Sequence, residues 1–180
     1  MAERHLVLVG PMGAGKTTIG ALLAERSGRP FIDSDPQLRR LTGHTGKEIA
    51  AAEGVERLHR LESEALHDAL SSPGPAVIAA AASIADDEGA LSAVKRSRAL
   101  VVMLEADPET LAARALTGDH RRGVTRDELV SLSESRRLAL LDLSPVAVVD
   151  TSRQSPAATV EEILRQARPF MEGLTGDQRG

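Results

Sequence analysis

Residues 10–17 read Gly-Pro-Met-Gly-Ala-Gly-Lys-Thr, a G-x-x-x-x-G-K-T pattern that constrains the chain more than any other stretch. It follows the apolar run Leu6-Val7-Leu8-Val9 and leads into Thr18-Ile19-Gly20-Ala21-Leu22-Leu23-Ala24. The pattern therefore predicts a buried strand, a tight loop and a helix in immediate succession. Glycines let the loop fold closely enough to aim several backbone N–H groups at one anion, and the helix beginning there adds its positive end. On this reading Gly13, Ala14, Gly15, Lys16, Thr17 and Thr18 bind the phosphates of a nucleoside triphosphate. Lys16 reaches the β- and γ-phosphates, and the Thr17 hydroxyl ligates Mg²⁺.

Composition narrows the setting. The chain has 180 residues, 42% of them hydrophobic, which suits one domain, taken as residues 1–170 with 171–180 as a frayed tail. A formal net charge of −4 argues against a nucleic-acid or membrane-surface partner. There is no cysteine, which excludes disulfides and thiolate metal sites and favours a cytoplasmic protein. Phe31 and Phe170 are the two aromatic residues, so the core must be aliphatic and offers no stacking platform for bases. The acidic balance is compatible with a monomer.

Short apolar runs alternate with stretches of helical period. Strands are expected near Leu6–Val9, Phe31–Asp33, Ala76–Ala80, Leu100–Leu104 and Val146–Val149. Helices are expected near Gly15–Ser27, Pro36–Leu41, Gly46–Glu53, Val55–Leu70, Glu88–Lys95, Pro108–Ala115, Arg126–Leu141 and Pro156–Ala167. Asp107-Pro108 and Ser155-Pro156 each pair an N-cap with proline at the first helical position. This rhythm predicts an α/β fold of three layers, a five-stranded parallel sheet with helices on both faces. Ligands then belong at the carboxyl ends of the strands.

Phe31-Ile32-Asp33-Ser34-Asp35-Pro36 places two carboxylates at that edge, facing the phosphate loop. They could hold Mg²⁺-bound water and accept a substrate hydroxyl's proton. The plainer alternative is that Ser34 or Asp35 caps the helix starting at Pro36.

With Leu41-Thr42-Gly43-His44-Thr45-Gly46-Lys47-Glu48-Ile49 and Glu53-Gly54, the chain resembles the bacterial shikimate kinases, small-molecule kinases with a phosphate loop. Their pattern runs phosphate loop, D-x-D, T-G-x-x-I, an acidic residue with glycine, then a helix carrying R-x-x-E. The resemblance extends from Leu6 to about Leu164 and implies that Asp33 serves the Mg²⁺ shell. It makes Asp35 the residue that binds the substrate hydroxyls beside the one phosphorylated.

The acceptor half departs from that pattern. The family's carboxylate-binding arginine falls on His59, with Arg60 beside it and Glu62 as the acid. Histidine lacks the bidentate fork, while Arg57 or Arg60 could supply charge only if the helix rotated. The family's glycine triplet is Ala81-Ala82-Ser83 here. The lid, about residues 117–126, lacks R-P-L-L and reads Thr117-Gly118-Asp119-His120-Arg121-Arg122-Gly123-Val124. Its D-x-x-R spacing selects Arg122, then Arg121, to neutralise charge on the transferred phosphoryl group. The second carboxylate-binding arginine aligns with Arg137, and the adenine-side loop with Arg153 and Pro156. His44, Lys47 and His67 have no partner in the pattern and are expected on the surface.

The resemblance implies transfer of the γ-phosphoryl of Mg·ATP to a hydroxyl of a small polyhydroxylated acceptor, shikimate first. Lys16, Asp35 and Arg122 are the catalytic candidates. Asp35, His59, Arg60, Ala82, Ser83 and Arg137 form the acceptor site, and Thr17 and Asp33 the metal site. Two alternatives stay open: an acceptor lacking the carboxylate, and a nucleotide-binding protein that regulates a partner.

Overall fold

The computed structural model describes residues 4–117 and 125–172. Five parallel strands lie in the order β2-β3-β1-β4-β5. They are β1 (Leu6–Val9), β2 (Phe31–Asp33), β3 (Val77–Ala79), β4 (Leu100–Glu105) and β5 (Ala147–Asp150). The helices are α1 (Lys16–Ser27), α2 (Ser34–Thr42), α3 (Gly46–Glu53), α4 (Val55–Leu70), α5 (Glu88–Ser97), α6 (Pro108–Thr117), α7 (Arg126–Leu141) and α8 (Pro156–Glu172). A short 3₁₀ helix, Ala82–Asp86, follows β3 and was not expected from the sequence.

Strand alternation splits the core in two. Leu6 and Leu8 of β1, with Leu100, Val102 and Leu104 of β4, pack on Leu23 of α1 and Ile163 of α8. Val7 and Val9, with Val101 and Met103, face the other way onto Leu66 of α4, Val94 of α5 and Leu140 of α7. Both faces of the central strands are thus covered, which is why they read as unbroken apolar runs. A smaller cluster of Leu38, Ile49 and Leu58 binds α2, α3 and α4 to one another.

The caps explain most helix boundaries. Thr45 and Glu48 form a reciprocal capping box on α3, and Thr125 and Glu128 do the same on α7. Asp107 accepts the Thr110 N–H at 2.8 Å, and Ser155 the Ala158 N–H at 3.2 Å. At α2 the expectation needs correcting, because the helix begins at Ser34 and its cap is Asp33, not Ser34 or Asp35. Helix α8 also runs past Ala167 and through Pro169 to Glu172.

Candidate active site

The loop between β1 and α1 is held from three sides. Gly10 lies so close to β4 that a Cβ there would stand 2.2 Å from the Leu104 carbonyl oxygen. Gly13 has φ +84°, and a Cβ would stand 2.6 Å from the Leu111 carbonyl oxygen of α6. Ala14 is buried in the core and anchors the loop, while Gly13, Gly15, Lys16, Thr17 and Thr18 line a large cavity above it. The Lys16 ammonium donates to the Gly10 and Pro11 carbonyls at 2.8 and 2.9 Å.

A third support was not foreseen. Arg114 of α6 lines the cavity and donates to the Thr151 hydroxyl at 2.9 Å and the Thr151 carbonyl at 2.8 Å. The buried Thr151 hydroxyl lies 3.2 Å from the Ala14 carbonyl and 3.1 Å from that of Glu105, between which its proton is shared. Arg114 therefore ties α6, the end of β5 and the phosphate loop together. Its signal in the sequence was indirect: it stands one turn beyond Leu111, whose backbone abuts Gly13. Beyond Thr151, the Asp150 carboxylate accepts the Ser152 N–H at 2.8 Å, and Ser152's hydroxyl and N–H hold its pKa below the usual range. Arg153, in the loop that follows, and Pro156, the first residue of α8, are exposed and do not line the cavity.

The cavity has a volume of about 1320 Å³ and runs from the phosphate loop to α3, α4 and α7. Asp33, Ser34 and Asp35 stand in it at the end of β2. Asp33 is 8% exposed; its Oδ1 accepts the Asp35 N–H at 3.1 Å, while no described residue bonds its buried Oδ2. A buried anionic oxygen is unfavourable without a hydrogen-bond donor or cation. Together with the Thr17 hydroxyl it offers hard oxygen donors that fit Mg²⁺, which is commonly held by one or two carboxylates plus substrate phosphates.

At the far end, His59 and Glu62 of α4 line the cavity, one turn apart. Glu62 is 1% exposed and accepts a hydrogen bond from the Ser83 hydroxyl, so the serine in the Ala81-Ala82-Ser83 segment is committed to α4. Ala82 also lines the cavity. Arg60 does not: it is exposed and turned away, about 100° round the helix from His59. Arg57 pairs with Glu53 at 3.6 Å and is likewise absent from the lining.

Arg137 lines a smaller cavity of about 170 Å³, which shares Pro11, Ala82, Ser133 and Arg136 with the large one, and pairs with Glu105 at 2.7 Å. Its neighbour Arg136 reaches the large cavity. Lys47 is exposed, as expected, and also lines that cavity. His44 and His67 are exposed. Arg121, Arg122 and residues 118–124 of the expected lid lie outside the described residues.

The arrangement brings an anion cradle, a lysine and two carboxylates to one end of a cavity large enough for two small molecules. At the other end it sets charged and hydroxyl groups for an acceptor. Comparison with known proteins agrees. The shikimate kinase family model matches residues 12–168. The shikimate kinase of Symbiobacterium thermophilum is 36% identical over 168 residues, covering 90% of this chain and 95% of that protein. The shikimate kinase of Streptomyces coelicolor is 35% identical, covering 96% of this chain and 98% of its own. Among solved structures, the shikimate kinase of Acinetobacter baumannii in complex with shikimate superposes with a TM-score of 0.84 at 27% identity, covering 99% of this chain and 97% of that one.

Proposed function

The chain belongs to the shikimate kinase family, and from that premise we propose that it transfers the γ-phosphoryl group of ATP to a ring hydroxyl of shikimate. It is an ATP-dependent small-molecule kinase, a phosphotransferase with an alcohol acceptor. The observation that carries the reading of the site is the joining, in one cavity, of the phosphate loop with Asp33 and Asp35.

The loop N–H groups and the start of α1 receive the phosphates, and Lys16 leaves its carbonyl partners for the β- and γ-phosphate oxygens. Thr17 and Asp33 Oδ2 would hold Mg²⁺. Held there, the ion would supply charge neutralisation for the phosphates. Asp35 orients the acceptor hydroxyl and takes its proton as the new P–O bond forms and the bond to the ADP oxygen breaks. A lid arginine, Arg122 by its spacing, neutralises the equatorial oxygens. Most of the rate enhancement in such transfers comes from positioning and electrostatics.

Release of ADP from Mg·ATP, coupled to a spectrophotometric readout and measured with and without shikimate, tests the acceptor. A large shikimate-dependent rate is expected; its absence, with ATP binding intact, would point to another polyol. Asp35→Asn is expected to lower kcat by at least about 100-fold, the lower range for a positioned general base, with ATP affinity kept. Unchanged turnover would remove Asp35 from the mechanism.

One feature supports a second reading. His59, Arg57 and Arg60 place no guanidinium of α4 in the cavity, which suits an acceptor without a carboxylate. Screening cyclitols and sugars beside shikimate separates the two.

A further inference from the structure

The phosphate loop is a run of small residues whose shape must be imposed from outside. Gly13 and Gly15 both have positive φ, +84° and +89°. The peptide between Ala14 and Gly15 has glycine on one side, where few steric barriers oppose its rotation. Ala14 is fully buried, and Gly15 lines the large cavity. A trans peptide is planar and points its C=O and its N–H in opposite directions. Whatever holds the Ala14 carbonyl on the buried side therefore also sets where the Gly15 N–H points.

Thr151, the first residue after β5, reaches that carbonyl. It is 3% exposed, and its hydroxyl lies 3.2 Å from the Ala14 carbonyl and 3.1 Å from that of Glu105. Glu105 already receives the Thr151 N–H at 2.8 Å, so the strand end closes without the hydroxyl. What the hydroxyl adds is its reach to the loop, 137 positions away in the chain. Arg114 donates to the same hydroxyl from Nη1 at 2.9 Å and to the Thr151 carbonyl from Nη2 at 2.8 Å. A guanidinium carries donors only, so toward Arg114 the hydroxyl must accept. Its single proton is then left for the two carbonyls.

Resting on ATP as the phosphoryl donor, we propose that Thr151 is a positioning residue of the phosphate loop. Its hydroxyl fixes the Ala14–Gly15 peptide so that the Gly15 N–H faces the nucleotide's phosphates. Arg114 directs the hydroxyl's proton, and the end of β5 thereby holds the loop in shape. An N–H set in place before the anion arrives loses less freedom on binding than one that must rotate into position. Thr159 is the natural contrast. It is 0% exposed, but its hydroxyl bonds the Ser155 carbonyl at 3.1 Å, one turn earlier in the chain.

The test compares wild type with T151V, T151A, T151S and T159V, with melting temperatures as a folding check. Dissociation constants are measured for ATP and for inorganic tripolyphosphate, which carries the phosphates and no base, both with magnesium present. T151V keeps the shape of threonine and removes the hydroxyl; T151A removes it with less bulk and carries the same expectation. Either is expected to weaken both ligands by about 5- to 30-fold, the range for one misplaced hydrogen bond to a charged group. T151S keeps the hydroxyl and should stay within about threefold of wild type, and T159V within about twofold. With ATP saturating, the shikimate KM should stay within about twofold in every variant. A merely structural Thr151 would lower the melting temperature and the active fraction, and leave the affinities of the folded molecules intact.

Unchanged tripolyphosphate affinity in T151V and T151A overturns the proposal. So does a loss confined to ATP, which would place the effect at the base, or an equal loss in T151S or T159V. Wild type that binds ATP and not tripolyphosphate overturns it as well. If wild type binds neither ligand, ATP as the donor fails and the role of Thr151 fails with it. Wild type that binds both, with Thr151 variants that match it, sinks only the positioning role.

Discussion

Asp33 has one oxygen in a structural hydrogen bond and one that no described residue bonds. Oδ1 caps α2 through the Asp35 N–H, and Oδ2 is buried in a residue that lines the cavity with the phosphate loop. Asparagine retains a capping oxygen and loses the negative charge. Asp33→Asn should therefore melt within a few degrees of wild type while the gain in ATP affinity on adding Mg²⁺ shrinks by about tenfold or more. Calorimetric titration with and without Mg²⁺ checks this, and an undiminished gain would exclude Asp33 as a metal-binding residue. At this scale the phosphate-loop end of the cavity was legible, because Gly13–Thr18 is one continuous run and only Ser34 separates Asp33 from Asp35, so local spacing states their geometry. The far end was not. Arg136 meets Asp86 across 50 positions, and Arg114 meets Thr151 across 37. Only tertiary packing makes those pairs, and nothing local distinguishes Arg136 from Arg137.

Among the elements, the boundaries of α3, α4 and α7 matched the sequence expectation to the residue. For α3 and α7 the cause is the threonine–glutamate capping box, a local signal. At the start of α7 the Thr125 hydroxyl accepts the Glu128 N–H at 3.3 Å, and Glu128 accepts the Thr125 N–H at 2.7 Å. Thr125→Ala should lower the unfolding free energy by about 1 kcal/mol, seen as a lower urea midpoint with an unchanged slope. No shift in midpoint would mean that the cap does not stabilise the folded chain. The 3₁₀ helix escaped the sequence because Ala79-Ala80-Ala81-Ala82 carries no periodicity and no cap. Its ends are fixed from outside, by Glu62 of α4 on Ser83 and by Arg136 of α7 on Asp86. That one segment links the α4 and α7 walls of the large cavity.

For the whole molecule, the doubly covered parallel sheet was readable from five apolar runs alternating with helices. The strand order was not, since it depends on crossovers that no local pattern encodes. Stability should weaken in acid through identifiable groups. His5 Nδ1 accepts the Ala76 N–H at 3.1 Å, which requires a lone pair there. Burial, aided by the Arg29 charge and opposed by a backbone bond to Leu70, lowers its pKa from 6.5. The unfolded chain then binds the proton more readily, so this stability is present above pH 6.5 and declines as pH falls through the folded value. Asp87, lowered from 3.8 chiefly by the Ala90 N–H, adds a second decline in stronger acid. Urea unfolding across pH should show a fall in stability beginning near pH 6.5 that His5→Gln flattens. Identical pH curves for the two proteins would exclude His5 as the cause.

The aliphatic core also makes the protein optically quiet, since the chain holds neither tryptophan nor tyrosine. Leu132, 39% exposed on the α7 wall of the cavity, is a natural place for a single reporter. A tryptophan there would emit against a dark background, and excitation at the red edge of its band avoids the adenine. The arrival of nucleotide and acceptor could then be timed separately in one cuvette, without a dye.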